Sequence, residues 1–476
     1  MPEIQQGTAQ RILPSGNAIV AGRTLYLRGP LLGRLGQILL LLFPAVPARR
    51  LRPARLAWVA LGNAGAVVAG AGVLLVRQAG TPSWATLWAE DGSVFLPRAL
   101  SDPAASIFRA YAGYLQLVPQ LIADAVARFP VRDAAAGFAM AGALVAASCA
   151  VFVFYASGGH IVRPGLRALL ACSVLLLPTA VIEIANSGVD APWYLMYALF
   201  WALLWRPASR RGMVLAGVIA FLTMASNILN VLYLPLVAAR VLALPRAREQ
   251  AVTSGWLAGI AFQVPGIVQS REPHGIGPVP AGLHFYGQHV LVAAVAGWPL
   301  ARGLQDAISV PASIALAAVV VGAVAIWAAR SGGPRLGVFV AAAIGMGLIL
   351  SIIPALVRFW VAPAVSTDIW VPGSRYTASA ILLIDAVAIT GVDAYLRAKT
   401  IQFRRACRCG PVLILIIGLG IGWVSSFRYN NVRSAGPPWS PAPQAVTAPS
   451  GPGSGGRGGW PVAVQGLAAV GAGHRV

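Results

Sequence analysis

Long apolar runs, separated by short polar segments, recur along most of the chain. A perpendicular membrane crossing needs ~20 predominantly apolar residues. The shorter runs, such as 192–206, therefore predict helices that pack inside a bundle or line a water-filled cavity. The run at 36–47 is too short to span and contains Pro44, which predicts a segment at the membrane interface. In total, eleven runs predict transmembrane helices, at approximately 57–76, 134–157, 167–184, 192–206, 212–226, 229–243, 252–269, 306–329, 336–357, 376–395 and 411–427.

The composition agrees with this pattern. Of the 476 residues, 58% are hydrophobic and 11% are charged, and the mean hydropathy is +0.73. Soluble proteins carry about 25% charged residues. These values exclude a soluble enzyme, a secreted disulfide scaffold and a disordered protein. The predicted fold class is all-α, a polytopic membrane protein with about 11 transmembrane helices.

The basic residues predict the orientation. The chain has 36 basic and 14 acidic side chains, for a net charge of +22. All but one of the basic residues are Arg, which with the many Ala, Gly and Pro residues indicates GC-rich coding, so no nucleic-acid partner is expected. With the N-terminus in the cytoplasm, 23 basic residues fall on cytoplasmic segments, as the positive-inside rule requires. We therefore expect a multi-pass plasma-membrane protein with its C-terminus outside.

This orientation divides the chain into three parts. Residues 1–56 form a cytoplasmic N-terminal segment, residues 57–427 the multispan membrane domain, and residues 428–476 an outside tail. The first outside loop, 77–133, is the longest and contains two candidate interfacial helices. The tail contains PPWSPAPQ and GPGSGGRGG, which are low-complexity stretches and are not expected to pack.

An acidic pair lies just after the first predicted span, in Trp88-Ala89-Glu90-Asp91-Gly92. Two adjacent carboxylates that are partly buried cannot both ionise cheaply, so one of them would have a raised pKa and could act as a base. The alternative is a solvated acidic turn that ends at Gly92. The motif alone does not separate the two interpretations.

An acidic pair in the first outside loop, followed by an interfacial helical segment and some ten further spans, resembles the C-type (GT-C) glycosyltransferases. The surrounding stretches LWAEDGSVFLPRAL and GYLQLVPQLIADAVARFP also resemble multispan proteins of actinobacterial type with a similar layout. Members of the enzyme class transfer sugars from polyprenyl-phosphate carriers on the outer face, with an acidic residue of that loop as catalytic base. The resemblance implies that Asp91 or Glu90 has this role.

The resemblance also bears on metals. Metal-dependent members of the class use further carboxylates in a later outside loop. The nearest matches here, Glu183, Asp190, Glu272 and Asp368, form no paired motif. Three histidines of one outside loop, His274, His284 and His289, have a spacing that suits one helix face poorly and have no thiolate nearby. We therefore expect no metal or other cofactor, with a divalent cation as the less favoured alternative.

A polyprenyl-phosphate donor would require a cation for its phosphate but no general acid, because the phosphate is already a good leaving group. Arg binds phosphate with two parallel hydrogen bonds. Arg375, next to Tyr376 at the mouth of a predicted span, is the best placed, and Arg358, Arg271 and Arg428 are alternates. Each of them could equally contact a lipid headgroup or anchor a span end.

A second polar group lies in the short outside turn that contains Glu183, Asn186, Asp190 and Trp193. Aromatic faces stack on sugar rings, while carboxylates and amides bind sugar hydroxyls, so this turn is a candidate sugar site. The alternative is a capped helix end with interfacial aromatic residues.

The preferred functional hypothesis is a membrane glycosyltransferase. It would transfer a sugar from a polyprenyl-phosphate donor to a cell-envelope glycan or glycolipid on the outer face, with inversion, and membrane lipids would surround it. A transporter or flippase of a lipid-linked intermediate is the first alternative, although such a protein needs mid-membrane charges and Asp385 is essentially alone there. A non-catalytic envelope assembly protein is the second.

Overall fold

The computed structural model describes residues 30–46, 53–270, 275–361, 373–398, 405–429 and 433–440. These residues form helices, turns and three isolated β-bridges. The α-helices are α1 (Pro30–Leu40), α2 (Pro53–Val76), α3 (Leu96–Ser101), α4 (Pro103–Ser106), α5 (Leu117–Val126), α6 (Ala134–Ala156), α7 (Pro164–Leu176), α8 (Ala191–Leu204), α9 (Arg210–Ser226), α10 (Leu234–Ala243), α11 (Ala251–Gln269), α12 (Val279–Phe285), α13 (Val292–Ala296), α14 (Trp298–Ile308), α15 (Val310–Ser331), α16 (Gly333–Val361), α17 (Ala378–Arg397) and α18 (Arg405–Ser426).

Seven helical segments of the described chain are long and apolar enough to cross a membrane. The prediction of an all-α polytopic membrane protein is confirmed. The remaining four predicted spans coincide with the shorter helices α8, α9 and α10 and with the apolar part of α18, Gly410–Ser426, and the total of eleven crossings stays a prediction. The seven long segments are Leu56–Val76, Val131–Gly159, Pro164–Val181, Ala251–Gln269, Val310–Ser331, Gly333–Val357 and Ser374–Arg397.

Helix α8 is the centre of the bundle. All fourteen of its residues are buried, and it packs among α6, α9 and α17. A helix that is apolar all round is stable where other helices surround it. Its shortness follows from the same position, because an enclosed helix does not have to match the thickness of the bilayer.

Helices α9 and α11 pack closely because small residues face each other. A Cβ atom added to Gly255 would collide with the carbonyl of Gly217. Without a hydrophobic driving force between helices in lipid, such close backbone contact supplies much of the packing energy. This pair holds α11 against the first long loop, where the Gln263 side chain accepts a hydrogen bond from the Leu115 N–H at 2.9 Å.

One end of the bundle is closed by Asp393, in the last turns of α17. Its carboxylate is fully buried and accepts hydrogen bonds from the backbone N–H groups of Val162 at 3.0 Å and Arg163 at 3.1 Å. It also pairs with Arg397 at 2.9 Å. Asp393 thereby supplies partners for free N–H groups at the start of α7. The predicted orientation places these residues together on the cytoplasmic side.

The opposite end gathers the residues that the predicted orientation places outside. The Asn186 side chain donates a hydrogen bond to the Leu74 carbonyl at 2.8 Å. The Ser351 hydroxyl donates to the Tyr376 carbonyl at 2.8 Å. At each end of the bundle, these contacts thus join residues that the predicted orientation places on the same side of the membrane.

The beginning of the tail packs on the first long loop. The expectation that PPWSPAPQ does not pack is therefore wrong for its described residues, 437–440. The Thr81 N–H donates to the Ser434 carbonyl at 3.0 Å, and the Trp439 N–H donates to the Ala85 carbonyl at 2.6 Å. The Trp439 indole donates to the Val131 carbonyl at 3.0 Å. Low complexity was a poor guide here because a single Trp and a single Arg in the segment provide specific contacts.

Cysteine labelling tests the topology. Ser93 and Ala208 are both exposed, at opposite ends of the bundle. In a background without the four native cysteines, we expect Ser93→Cys to react with a membrane-impermeant maleimide in intact cells, and Ala208→Cys to react only after permeabilisation. Reaction of both cysteines from the same side would contradict the predicted orientation.

Candidate acidic site at one end of the bundle

Three segments that are distant in the sequence meet at the end of the bundle that holds Asn186. They are the helical turn that directly precedes α3, the turn between α7 and α8, and the turn that opens α17. Together they assemble a group that we call the acidic cluster, defined as Glu90, Asp91, Glu183, Asp190 and Arg375.

The Asp91 carboxylate is completely buried and braces the turn before α8. It accepts hydrogen bonds from the Gly188 N–H at 3.0 Å, the Val189 N–H at 2.8 Å and the Ser187 hydroxyl at 3.2 Å. Burial raises the pKa of Asp91 to about 6, although the Arg433 charge and these hydrogen bonds oppose the shift. The structure leaves no face of this carboxylate for a substrate.

Glu90 has a different environment from its neighbour. It is half-buried, and the Tyr111 hydroxyl donates to its Oε1 at 3.2 Å. The two carboxylates of the pair therefore have separate hydrogen-bond partners. Ala89, just before them, has a φ of +39°, a conformation that is strained for a residue with a Cβ. Of the adjacent pair, Glu90 is the carboxylate that a ligand can reach.

Arg375 is ion-paired within the cluster. Its guanidinium lies 3.2 Å from Glu183 Oε1 and 3.5 Å from Asp190 Oδ1, and its side chain remains 20% exposed. Glu183 also accepts from the Ser374 hydroxyl at 3.0 Å and from the Arg375 N–H at 3.2 Å. Glu183 thus holds in place the turn that presents Arg375.

Asp190 is the most enclosed partner of Arg375. Burial raises its pKa above the usual range, the Arg375 charge lowers it, and the neighbouring carboxylates raise it further. The Ser187 hydroxyl lies 3.1 Å from Asp190 and 3.2 Å from Asp91, so it joins the two buried acids. Burial and the neighbouring carboxylates thus favour the protonated form of Asp190 more than they would in an exposed aspartate.

Aromatic rings form one wall of the site. The Trp193 and Tyr376 rings meet edge to face with centroids 5.3 Å apart. The Arg375 guanidinium lies 5.8 Å from the Tyr376 ring centroid. Tyr111 and Tyr114 form a tight turn with a hydrogen bond of 2.9 Å from the Tyr111 N–H to the Tyr114 carbonyl, and the Arg375 charge acts on both hydroxyls.

Arg433, from the tail, lies behind the cluster and binds two of its turns. The residue is 5% exposed. Its Nε donates to Thr86 Oγ1 at 3.0 Å, and its two terminal nitrogens donate to four backbone carbonyls. All of its donors are thereby used. The four carbonyls are those of Ser83 at 2.8 Å, Thr86 at 2.9 Å, Ala185 at 3.3 Å and Asn186 at 2.7 Å.

Several residues that the sequence predicts to bind substrate are not part of the acidic cluster. Asn186 is buried and donates hydrogen bonds to the Leu74 carbonyl and the Ser83 hydroxyl, so its amide holds the turn and does not face a sugar. Arg358 lies on α16, and its side chain is outside the described residues, as is the whole of Arg271. Among the described residues, no group of three or more His, Cys, Asp or Glu is arranged to hold a metal ion.

Sequence analysis did not identify Tyr111, Tyr114 and Ser187 as parts of the site. The signal that could have found the tyrosines is the YAGY stretch, in which Ala112 and Gly113 have positive φ values of 51° and 86°. Such a turn brings its two flanking residues together. Ser187 gave no signal, because its importance comes from the two acids that fold around it.

No protein-family model, curated protein sequence or solved structure matches this chain. The geometry of the cluster is therefore the basis for a functional proposal.

The raised pKa of Asp91 predicts a pH-dependent stability. The folded protein holds this proton up to a pH of about 6, whereas the unfolded chain releases it near the ordinary aspartate pKa of 3.8. The contribution of Asp91 to stability is thus full below pH ~4 and is lost as the pH rises to ~6, by ~3 kcal/mol for a shift of this size. The stability advantage of the wild type over Asp91→Asn should shrink as the pH rises from 4.5 to 7. Thermal unfolding in nanodiscs measures it, and a constant difference would contradict the assignment.

Proposed function

We propose that the chain is a membrane glycosyltransferase that transfers a sugar from a polyprenyl-phosphate donor to a cell-envelope glycan or glycolipid, with inversion. The observation that carries the proposal is the placement of Arg375, the partly exposed cation, within one site that also holds a reachable carboxylate, Glu90. An aromatic wall lies beside them. A lipid-linked donor requires these three elements, a cation for the phosphate, a base and a sugar-binding face.

In the proposed reaction, the donor phosphate exchanges places with one carboxylate partner of Arg375. Asp190 is the partner that yields, because its raised pKa allows it to become neutral at modest cost. Once Asp190 is neutral, less negative charge surrounds the Arg375 guanidinium, which then binds the donor phosphate. Arg is suited to this exchange since its planar donors fit carboxylate and phosphate alike.

The chemical step uses Glu90 as the general base. An acceptor hydroxyl gives its proton to the Glu90 carboxylate while its oxygen attacks the anomeric carbon. The bond from that carbon to the phosphate oxygen breaks, and its electron pair leaves with the polyprenyl phosphate. Direct displacement inverts the anomeric centre. The Tyr111 hydroxyl, which donates to Glu90, orients the carboxylate.

Asp91 acts through the turn that it braces. Its three hydrogen bonds fix residues 187–189, directly before Asp190 and α8. We assign it a positioning role, in place of the base that the resemblance also offered. The strained backbone at Ala89 and Asn186, with φ values of +39° and +58°, lies on both sides of this contact, as is common where a site is held in a fixed geometry.

The number of membrane crossings and the sides on which the two termini lie are part of the same proposal. Eleven crossings, a cytoplasmic N-terminus and an outside C-terminus place the acidic cluster on the outer face of the plasma membrane. This placement agrees with the segregation of contacts at the two ends of the bundle. Membrane lipids would contact the exposed apolar faces, and the lipid-linked donor would reach Arg375 from the bilayer.

Donor binding tests the role of Arg375. With the purified protein in nanodiscs and a polyprenyl-phosphate sugar as probe, we expect Arg375→Ala to weaken binding at least about tenfold, because a charge-assisted hydrogen bond contributes ~1.5–3 kcal/mol. Arg132→Ala is the control, since Arg132 is an exposed Arg of the same loop region, 3.8 Å from Asp133. Equal donor affinity in both variants would remove Arg375 from the proposal.

A further inference from the structure

A second group of charged side chains lies at the end of the bundle opposite the acidic cluster. The fully buried Asp393 carboxylate has one arginine at each of its oxygens. Arg163 Nη1 lies 3.6 Å from Oδ1, and Arg397 Nε lies 2.9 Å from Oδ2. The side chains of these two arginines remain 40% and 43% exposed. Two guanidinium groups therefore contact one carboxylate and still present surface to a ligand.

Arg335 joins this group from α16. Its guanidinium donates a hydrogen bond to the Gly159 carbonyl. Gly159 is three residues before Val162, whose N–H donates to Asp393, and three residues span at most about 11 Å. The charge of Arg335 also interacts electrostatically with that of Arg397. These contacts define a group that we call the basic cluster, which consists of Arg163, Arg335 and Arg397.

The basic cluster has more positive charge than the described residues around it balance. One carboxylate, that of Asp393, faces its three guanidinium groups. Glu249, the other carboxylate that the structure describes on the predicted cytoplasmic side, is paired with Arg206 at 2.7 Å. Arg167 follows Arg163 one helical turn later and adds a further positive charge. Because like charges that lie close together repel each other, an anion bound among them stabilises the group.

The position of the basic cluster along the helices corresponds to a membrane surface. Each of the three arginines lies in, or directly next to, the terminal turn of a segment that is long enough to cross a membrane. Tyr395, in the same turn as Arg397, contacts the Trp327 ring with centroids 6.0 Å apart. Trp and Tyr concentrate at the level of the lipid headgroups. The three segments are Pro164–Val181, Gly333–Val357 and Ser374–Arg397.

We propose that the basic cluster binds the phosphate of one anionic phospholipid in the cytoplasmic leaflet. The planar donors of Arg fit phosphate oxygens as well as carboxylate oxygens. The exposed faces of Arg163 and Arg397 take the phosphate, while their contacts with Asp393 hold both guanidinium groups in place. Arg335 adds the third positive charge, and the acyl chains extend into the bilayer beside the helix ends.

The location favours a lipid over a soluble anion, because the site lies at the depth where headgroups are concentrated. Basic pockets between helix ends on the cytoplasmic side are a general means of binding anionic headgroups. A phospholipid with net negative charge offsets the excess of positive charge, whereas a zwitterionic lipid balances its own phosphate with its ammonium group. The site is separate from the acidic cluster and does not depend on sugar transfer.

Native mass spectrometry of the full-length protein in detergent tests the site. The probes are phosphatidylglycerol and phosphatidylcholine with the same acyl chains. We expect the wild type to bind one phosphatidylglycerol about tenfold more tightly than phosphatidylcholine, the effect of one additional charge-assisted hydrogen bond. Arg335→Gln and Arg397→Gln should each remove most of this preference. Equal affinity of the wild type for the two lipids would overturn the proposal.

Arg211→Gln is the matched control. Arg211 is exposed on the same predicted side of the membrane, but it belongs to α9, which packs on α8 and α11. The affinity for phosphatidylglycerol should be unchanged in this variant. A loss as large as that of Arg335→Gln would mean that only the general surface charge attracts the lipid, which contradicts a site. Displacement of the bound lipid by millimolar inorganic phosphate would overturn the assignment to a lipid headgroup.

Thermal unfolding in nanodiscs gives a second measurement, within a bilayer. A ligand that binds the folded protein raises its unfolding temperature, so the wild type should unfold at a higher temperature when phosphatidylglycerol replaces part of the phosphatidylcholine. Arg211→Gln should keep this increase and Arg335→Gln should lose it. Arg335 is exposed and does not contact Asp393, so its variant is the decisive one if Arg397→Gln does not fold. A wild-type increase in Arg335→Gln would contradict the proposed site.

Discussion

Glu90→Gln should reduce sugar transfer by about 10²–10⁴-fold, the usual contribution of a general base. Gln has nearly the size of Glu, and its amide oxygen still accepts the hydrogen bond from Tyr111, so the loop should keep its structure. What the variant lacks is a group that takes up the acceptor proton. The measurement is transfer of a radiolabelled sugar from polyprenyl phosphate to membrane acceptors, with the purified variant in proteoliposomes.

The comparison with Asp91→Asn separates the base from the positioning residue. Loss of the Asp91 charge replaces an acceptor of three hydrogen bonds by an amide, so we expect reduced stability together with a smaller loss of transfer. The optimum pH of the remaining activity should stay unchanged, since Asp91 does not touch the acceptor. If Glu90→Gln keeps full transfer activity while Asp91→Asn abolishes it in a folded protein, the two roles are exchanged.

Arg433→Ala should destabilise the protein by about 3 kcal/mol or more. The substitution leaves buried carbonyl groups of two turns without donors, and each such group costs ~1–3 kcal/mol. It also removes the cation that lowers the pKa of Asp91. Thermal unfolding and the yield of membrane-integrated protein measure the effect. A chain truncated after residue 428 should show the same loss.

Truncation after residue 440 is the matched control, since it keeps Arg433 and Trp439. We expect this shorter chain to insert and to unfold at the wild-type temperature, because residues 441–476 are rich in Gly and Pro and have no apolar periodicity. Arg433→Lys should be intermediate, as an ammonium group cannot serve five acceptors on two turns. Wild-type stability of the chain truncated after residue 428 would show that these contacts contribute little.

The membrane helices were predictable because lipid leaves the backbone few choices. A long apolar segment must satisfy its own hydrogen bonds, which makes it a helix, and hydropathy therefore located α2, α6 and α15 within a few residues. The short helix α8 was found by the same signal. Its central position was not predicted, because burial among other helices and burial in lipid give the same apolar composition.

The candidate site was predictable in part. Glu183, Asp190 and Arg375 were each assigned to the outside ends of predicted spans, and spans that pack side by side bring such ends together. The burial of Asp91 was not predictable, since it depends on the turn formed by Ser187, Gly188 and Val189 about a hundred residues away. The direction of the Asn186 side chain depends on the same turn.

Arg433 was missed for a different reason. It precedes a Pro-rich stretch that composition classed as unpacked, and it lies in no motif of its own. One buried guanidinium that meets five acceptors leaves no trace in composition or periodicity. An isolated Arg or Trp at the edge of such a tail is the only signal that the sequence contained.

Photo-crosslinking of the donor tests the central claim most directly, that the acidic cluster is the sugar-transfer site. The probe is a polyprenyl-phosphate sugar with a diazirine on the sugar ring, bound to the purified protein in nanodiscs and mapped by mass spectrometry. The account predicts adducts on Tyr111, Trp193 and Tyr376, which unlabelled donor suppresses and Arg375→Ala strongly reduces. Adducts confined to lipid-facing helices, and equally abundant in Arg375→Ala, would contradict it.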